Sequence, residues 1–235
     1  MKPFVLCHME VSMDGKIDGP YQDYPYAQDA GNDYDFLTDL PRSDEAMACG
    51  KNTVRMYFAS DPIDLSPYRE DKTDSGKDQF FPLREGERYV FVFDRSGSLF
   101  YKENTYPYGA QQNRIAEVVT SKAKPEYLAY LKSMEIPYLI GGKDDLDLPL
   151  VLEKMAKLFS IREVLLTGGA EINGSFLKAG LVDEISLVMV PYIDGDPVHK
   201  AFAEGKEILT RYQFEKAEPY KQGGVRLLFR KAEQG

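Results

Sequence analysis

The sequence predicts an α/β fold with a mixed, mainly parallel sheet and helices on both of its faces. Strand-like apolar runs alternate along the chain with helical stretches of roughly 10 to 15 residues, the pattern of parallel sheets. The C-terminal stretch "YQFEKAEPYKQGGVRLLFRK" instead predicts two strands joined by a Gly-Gly turn, an antiparallel hairpin at a sheet edge. The chain has 235 residues, 43% of them hydrophobic. We expect one domain over residues 1–235.

The N-terminal part is predicted to begin with a strand in "PFVLCHMEVS", which ends in the turn "MDGKIDG". A loop insertion over about residues 20–32 follows, and then "DYDFLTDLP" predicts a short helix stopped by proline. The stretch "DEAMACGKNTVRMYFA" predicts a strand to Cys49, a glycine turn and a helix that begins near Thr53. Residues 60–87 are rich in Asp, Pro, Ser and Gly and are expected to form a second loop insertion.

Strands and helices alternate in the rest of the chain. Strands are predicted in "RYVFVFD", "IAEVVT", "IPYLIGG", "IREVLLTGG" and "LVDEISLVMVP", and helices in "KPEYLAYLKSM" and "AEINGSFLKAG", where Gly180 suits the C-terminal cap. "DLPLVLEKMAKLF" predicts an amphipathic helix capped by Asp147. Its apolar face is formed by Leu148, Leu152, Met155 and Phe159.

Charge and cysteine content narrow the class of protein. A formal net charge of -9 argues against nonspecific binding to nucleic acid or anionic membranes, because phosphate-rich partners need a basic face. The N-terminal apolar run from Phe4 to Cys7 is too short for a signal peptide or a membrane span, so we expect a cytoplasmic protein. Cys7 and Cys49 lie in apolar strand-like runs and are predicted to be buried thiols, with no disulfide and no metal site.

Three glycine-containing turns follow predicted strands. They are Gly50 in "CGKNT", Gly97 in "FDRSG", and Gly168 with Gly169 in "LTGGAE". Ligands of parallel sheets bind outside the carboxyl ends of the strands. Each glycine could also form a simple turn, but their coincidence favours phosphate binding.

The Gly168-Gly169 turn has the chemistry of a pyrophosphate site. Without side chains the backbone could approach a phosphate closely, and the N–H groups that open the following helix at Ala170 and Glu171 would point at it. The Glu171 carboxylate would repel a diphosphate, so we expect it to point away and to stabilise the helix start.

Polar side chains in the other two turns suit phosphate as well. Lys51 supplies a point charge and Thr53 a hydroxyl near a helix start, and Arg95 with Ser96 could form a second phosphate cradle. The alternative for each cation is a solvated surface charge.

Three stretches, "VSMDGKI", "CGKNTV" and "VLLTGGAEINGSFLKAGLVDEISLVMVPYIDG", resemble the dihydrofolate-reductase-like superfamily. They are most similar to the reductase domain of the bifunctional riboflavin-biosynthesis deaminase/reductase and its single-domain relatives. The resemblance covers nearly the whole chain and is most specific in the C-terminal segment. It implies a three-layer α/β fold, NADPH as cofactor and, by analogy, a homodimer.

The resemblance also implies roles for residues of the three turns. The turn that contacts the adenosine phosphate and the diphosphate is matched by Gly50, Lys51, Asn52 and Thr53. The turn for the 2′-phosphate is matched by Arg95 and Ser96. The diphosphate loop is matched by Gly168, Gly169 and Ala170, beside Glu171.

The family's substrate is a small pyrimidine with a phosphoribosyl group, as in 5-amino-6-(5-phosphoribosylamino)uracil, whose sugar is reduced by hydride transfer. Strand alternation puts His8, Glu10 and Ser12 on one face of the first strand, which could line the substrate cleft. Asp14 and Gly15 would close over the nicotinamide. Glu10 or His8 could deliver a proton, and the alternative for each is a polar group with a structural role.

Departures from the family pattern leave the substrate open. The usual "DDPxLTxR" segment is replaced by the looser "SDPIDLSPYR", in which Arg69 is the candidate ligand of the substrate phosphate. His8 stands where lysine is usual and Glu10 where a small residue is usual, so a changed substrate is one interpretation. No HxE with PCxxC is present, which excludes zinc-dependent deamination by that motif.

Two other functions stay open from the sequence. A dihydrofolate reductase would need a carboxylate on the first helix, for which Asp33 and Asp35 are candidates, but the usual Pro-Trp entry is absent and the chain has no Trp. A non-enzymatic NADPH-binding module would bind the cofactor without turnover.

Overall fold

The computed structural model describes residues 2–24, 45–69, 76–108, 111–220 and 223–232. These residues form two compact units. Unit 1 contains the described residues within 2–3 and 45–164, and unit 2 contains the described residues within 4–24 and 165–232. The expectation of one reductase domain over the whole chain stays a prediction.

Ten strands and four α-helices are present in the described residues. The strands are β1 (Phe4–Val11), β2 (Glu45–Gly50), β3 (Glu87–Phe93), β4 (Thr105–Tyr108), β5 (Gln111–Val119), β6 (Tyr138–Ile140), β7 (Glu163–Leu166), β8 (Glu184–Met189), β9 (Tyr212–Pro219) and β10 (Val225–Lys231). The helices are α1 (Lys51–Tyr57), α2 (Pro125–Ser133), α3 (Leu148–Phe159) and α4 (Ala170–Lys178). Short 3-10 helices lie at Pro20–Asp23 and Ser66–Tyr68.

In unit 1, β2, β3, β5 and β6 are parallel, and β4 pairs antiparallel with β5. β3 is buried along almost its whole length, as expected of a central parallel strand. The predicted apolar face of α3 is buried, and Phe159 at its end packs edge-on against Tyr89 and Phe91 of β3. The side chain of Asp147 accepts a hydrogen bond from the backbone N–H of Leu150 (3.0 Å), which confirms the predicted cap.

In unit 2, β1 is parallel to β8, and β10 is antiparallel to both β8 and β9. The helix α4 ends at Lys178, and Gly180 follows it with a φ of +64° while its N–H donates to the carbonyl of Leu177. This is the left-handed conformation that favours glycine after a helix. The predicted C-terminal hairpin is confirmed as β9 and β10.

The predicted fold class is confirmed, with some differences in detail. α1 begins at Lys51, two residues earlier than predicted, because Gly50 takes the extended conformation of the N-cap. β4 was not predicted, since Pro107 interrupts its pattern, and an edge position tolerates that proline. The predicted helix in "DYDFLTDLP", with Asp33 and Asp35, lies outside the described residues.

The predicted burial of both cysteines is confirmed. Cys7 and Cys49 are free and buried, and burial raises the pKa of each thiol to about 12. Reactive thiolates are therefore not expected at either position. None of the helices in the described ranges is long and apolar enough to cross a membrane.

Candidate active site

The first predicted phosphate turn of unit 1 joins β2 to α1. Gly50 is the N-cap of α1 and no side chain caps the helix start. Asn52 is exposed, and Thr53 is half-buried. The Lys51 side chain is 38% exposed, and its Nζ lies 3.9 Å from Oδ1 of Asp94. The lysine can therefore reach solvent and still has a buried counter-charge.

Asp94, at the end of β3, organises the second predicted turn. Its carboxylate is fully buried and accepts hydrogen bonds from the backbone N–H and the hydroxyl of both Ser96 and Ser98. Thus the turn closes around one carboxylate. The Ser96 hydroxyl donates to Asp94 at 3.1 Å, so that proton is not available to a phosphate in this arrangement.

A cavity of about 310 Å³ lies beside this turn and is called the cation cavity here. It is lined by Arg95, Ser96, Thr120, Lys122 and Asp144. The Thr120 hydroxyl and backbone N–H both donate to the carbonyl of Arg95, at 2.9 and 3.1 Å, which ties the turn after β5 to the turn after β3. The cavity thus brings the predicted Arg95 together with a second cation, Lys122.

Each cation of the cavity has an acidic neighbour from the turn after β6. Arg95 lies 3.5 Å from Asp145, and Lys122 lies 3.1 Å from Asp144, measured between charged nitrogen and carboxylate oxygen. All four side chains are largely exposed. Pairs of this kind contribute little to stability, so both cations can exchange partners.

The third predicted turn, in unit 2, follows β7. Gly168 has a φ of +91°, and a Cβ placed there would lie 2.9 Å from Cε of Met9. The peptide bond to Gly169 is cis. Gly169 is the N-cap of α4, which has no side-chain cap. Ala170 is buried and Glu171 is exposed to solvent. The orientation of Glu171 away from a diphosphate stays a prediction.

The first strand is buried on both of its faces. His8 and Ser12 are fully buried, as Cys7 is, while Glu10 is half-buried. Nδ1 of His8 lies 3.0 Å from the hydroxyl of Ser186 on β8. Burial alone therefore does not single out the polar face of β1 as the substrate-lining face, and that assignment stays a prediction.

Asp14 closes the turn after β1. Its carboxylate accepts hydrogen bonds from the Ser12 hydroxyl (2.7 Å) and from the backbone N–H groups of Asp194 (3.0 Å) and Gly195 (2.9 Å). These bonds lower the pKa of Asp14, and the hydroxyl bond is the largest cause. At neutral pH Asp14 is ionised, which suits an anchor of the turn better than a proton donor. Gly15 follows with a φ of +80°.

Arg69, in unit 1, follows a short 3-10 helix. It is exposed at the end of the 3-10 helix Ser66–Tyr68. The neighbouring Asp64 accepts hydrogen bonds from the backbone N–H and hydroxyl of Ser66, which fix this short helix. The role of Arg69 toward a substrate phosphate stays a prediction.

The sequence patterns did not single out Asp94, Thr120 or Lys122. The stretch "DRSGS" has serines two and four residues after its aspartate. This pattern is typical of a turn closed by the aspartate carboxylate, and it could have indicated Asp94. Thr120 and Lys122 lie in "TSKAK", which follows a strand but contains no glycine. Only the tertiary structure places them next to Arg95.

Comparison with known proteins extends over nearly the whole chain. The family model described as the RibD C-terminal domain matches residues 3–225. A 2,5-diamino-6-ribosylamino-4(3H)-pyrimidinone 5′-phosphate reductase from Methanothermobacter thermautotrophicus is 28% identical over 211 residues, which cover 88% of this chain and 87% of the relative. The resemblance inferred from the sequence motifs is therefore confirmed.

Solved structures show the same fold at low sequence identity. A pyrimidine reductase-like protein from Corynebacterium diphtheriae superposes with a TM-score of 0.68 at 14% identity, covering 99% of this chain and 93% of the other. The riboflavin biosynthesis reductase Rib7 from Saccharomyces cerevisiae gives a TM-score of 0.61 at 14% identity, covering 98% and 90%. At this identity the likeness is one of fold.

Proposed function

The chain belongs to the RibD C-terminal domain family, and from this premise we propose that it is an NADPH-dependent pyrimidine reductase of riboflavin biosynthesis. The observation that carries the cofactor assignment is the cation cavity. Two side chains that carry positive charge, Arg95 and Lys122, line one concave site beside a turn held in place by a buried carboxylate. A 2′-phosphate, which distinguishes NADPH from NADH, needs such a site.

Each unit, taken by itself, has residues that fit phosphate groups of NADPH. Arg95 and Lys122 would hold the 2′-phosphate. The hydroxyl of Ser96 would donate to that phosphate only after turning away from Asp94. In unit 1, Lys51 offers a point charge to a phosphate. In unit 2, the uncapped start of α4 after Gly169 offers N–H groups to a diphosphate. A side chain at position 168 would collide with Met9, so this loop needs glycine there.

Bound NADPH would supply the hydride that reduces the sugar carbon. Among the candidates on β1 and its turn, Glu10 is the one we assign as proton donor to the opening sugar, because Asp14 stays ionised. Asp14 instead holds the turn that contains Gly15, through its bonds to Ser12 and to the 194–195 backbone. His8 and Ser12 are fully buried, so contact of either with the substrate rests on the sequence-based prediction alone.

The substrate we propose is a pyrimidine that carries a phosphoribosylamino group. The Methanothermobacter relative is named for 2,5-diamino-6-ribosylamino-4(3H)-pyrimidinone 5′-phosphate, which makes this compound the first choice and 5-amino-6-(5-phosphoribosylamino)uracil the second. Arg69 is our candidate for the substrate phosphate, since it is an exposed guanidinium suited to bidentate phosphate binding.

We also propose that the protein is a homodimer. Three apolar side chains on one face of the β8–β10 pair are only half-buried: Leu187, Leu227 and Phe229. Phe214, opposite Phe229 on the edge strand β9, is 56% exposed. Apolar sheet faces of this kind are often covered in oligomers. A cytoplasmic location stays a prediction.

Titration of the purified protein with NADPH and with NADH, followed by calorimetry, tests the cofactor assignment. We expect NADPH to bind at least about tenfold more tightly, because only NADPH carries the phosphate that Arg95 and Lys122 would hold. Equal affinities would contradict the 2′-phosphate assignment. If the protein bound neither nucleotide, the proposed function would be contradicted.

A further inference from the structure

The two carboxylates beside the cation cavity have no role in the function proposed above. Asp144 lines the cavity, and Asp145 is its neighbour in the turn after β6. Each lies within ion-pair distance of one cavity cation, Lys122 or Arg95. A phosphate that bound both cations would have to compete with both carboxylates.

The backbone turn that carries these carboxylates is tight and is tied to a neighbouring turn. Gly142 has a φ of +156°, and a Cβ there would collide with the carbonyl of Asp145, so the turn is tight. The carbonyl of Gly142 accepts hydrogen bonds from the backbone N–H (2.9 Å) and hydroxyl of Ser121, beside Lys122. The turn that carries the acids is thereby tied to the turn that carries one of the cations.

The Asp145 side chain is also oriented locally. Its Oδ1 accepts a hydrogen bond from the backbone N–H of Leu146 at 2.9 Å, and the same oxygen is the one nearest to Arg95. A carboxylate fixed in this way loses little conformational entropy when it pairs with the guanidinium. The bond from Leu146 thus places this oxygen as a counter-ion of Arg95.

We propose that Asp144 and Asp145 set the affinity of the site for the 2′-phosphate by acting as internal counter-ions of Lys122 and Arg95. The inference rests on the proposed NADPH site and adds the residues that tune its specificity. The acids lower the affinity for a 2′-phosphate, because its charge must displace them or sit beside them. A nucleotide without that phosphate does not compete for these cations and is not affected.

The test uses 2′,5′-ADP and 5′-ADP as probes, with the wild-type chain and the double variant Asp144→Asn/Asp145→Asn. Asparagine keeps an oxygen that can accept the bond from Leu146, so the turn is preserved. We expect the double variant to bind 2′,5′-ADP about threefold to tenfold more tightly, since each exposed pair is weak. Affinity for 5′-ADP should change by less than about twofold, and the gain should shrink as salt is added.

A matched control is Glu207→Gln. Glu207 forms an exposed ion pair with Lys178 at 3.5 Å, the same separation as in the Arg95–Asp145 pair, but it does not line the cation cavity. This variant removes the same kind of charge and should leave both affinities unchanged.

The outcomes separate this inference from the proposed function. If the wild-type chain prefers 2′,5′-ADP and the double variant binds it no more tightly, or if the control gains as much, the counter-ion role is overturned while the cofactor site stands. If neither protein binds 2′,5′-ADP, the counter-ion role and the proposed cofactor site are both contradicted.

Discussion

Nζ of Lys51 lies 3.9 Å from Oδ1 of Asp94, which joins two predicted phosphate turns of unit 1. Lys51 belongs to the turn after β2, and Asp94 closes the turn after β3, on the neighbouring parallel strand. Because Asp94 is fully buried and Lys51 is partly exposed, the ammonium is directed outward from a fixed carboxylate. One buried residue therefore positions polar groups in both turns.

Asp94→Ala should destabilise the protein by about 2–4 kcal/mol, because four donors lose a buried acceptor. Urea unfolding followed by circular dichroism measures this change. Ser98→Ala removes only one of those donors and should cost about 1 kcal/mol. If both variants unfolded at the wild-type urea concentration, Asp94 would not organise the turn.

Arg95→Ala and Lys122→Ala should each weaken NADPH binding by about tenfold or more and leave NADH binding nearly unchanged, because each removes one cation from the 2′-phosphate site. Calorimetric titration of each variant with both nucleotides gives the ratio. Arg84→Ala is the control, since Arg84 is an exposed arginine paired with Glu135 that does not line the cavity. Equal losses of NADPH and NADH affinity would contradict the assignment.

Gly169→Val should abolish binding of both nucleotides, because a branched side chain would keep the diphosphate away from the backbone that opens α4. Gly168→Ala is predicted to destabilise the fold by about 1–3 kcal/mol, owing to the positive φ of this residue. Binding and unfolding should be measured on both variants. A Gly169→Val protein that kept its wild-type affinity would refute the diphosphate loop.

Glu10→Gln should reduce turnover by about 100-fold or more while NADPH affinity stays within about twofold, because the amide cannot donate the proton that the carboxylic acid would supply. The measurements are kcat with the pyrimidine substrate and Kd for NADPH. Asp14→Asn is the companion variant, and it should loosen the turn without removing a proton donor. If Glu10→Gln kept full activity, Glu10 would not be the proton donor.

His199 is predicted to make stability depend on pH. A hydrogen bond with Asp194 (2.6 Å) is the main cause of its raised pKa, and the charges of Asp194, Asp196 and Asp18 add to it. Since the folded pKa lies above the unfolded one, the stabilisation is complete below the unfolded pKa and is lost as pH rises through the folded pKa.

The measurement for this prediction compares urea unfolding of the wild type and His199→Gln from about pH 5.5 to about pH 8.5. The difference in unfolding free energy should be largest at the acid end and should shrink as pH rises. The two proteins differ only at residue 199, so the difference between them reports on this side chain. A difference that grew with pH would show that the imidazolium is not the stabilising form.

The order of the elements could be predicted from local patterns. The apolar face of α3, the cap at Asp147 and the Gly-Gly turn between β9 and β10 all depend on residues near each other in sequence, so periodicity and turn chemistry were enough. β4 was not predicted, because the stretch "TYPY" forms a strand by pairing with β5 and has no clear strand pattern of its own.

The site was harder to predict, because its charges meet through the tertiary fold. The glycine turns were recognisable, but the sequence could not reveal that Lys122 lies beside Arg95 or that Asp144 and Asp145 face them. The burial of His8 could not be predicted either, because alternation in a strand predicts which residues share a face but not whether that face is covered.

The most direct test of the central claim is the oxidation of NADPH by the purified protein, followed by absorbance, with 2,5-diamino-6-ribosylamino-4(3H)-pyrimidinone 5′-phosphate as substrate and dihydrofolate as the alternative. We expect turnover of the pyrimidine with NADPH, and little turnover of dihydrofolate. Turnover of dihydrofolate alone, or tight NADPH binding without turnover of either compound, would contradict the assignment as a pyrimidine reductase.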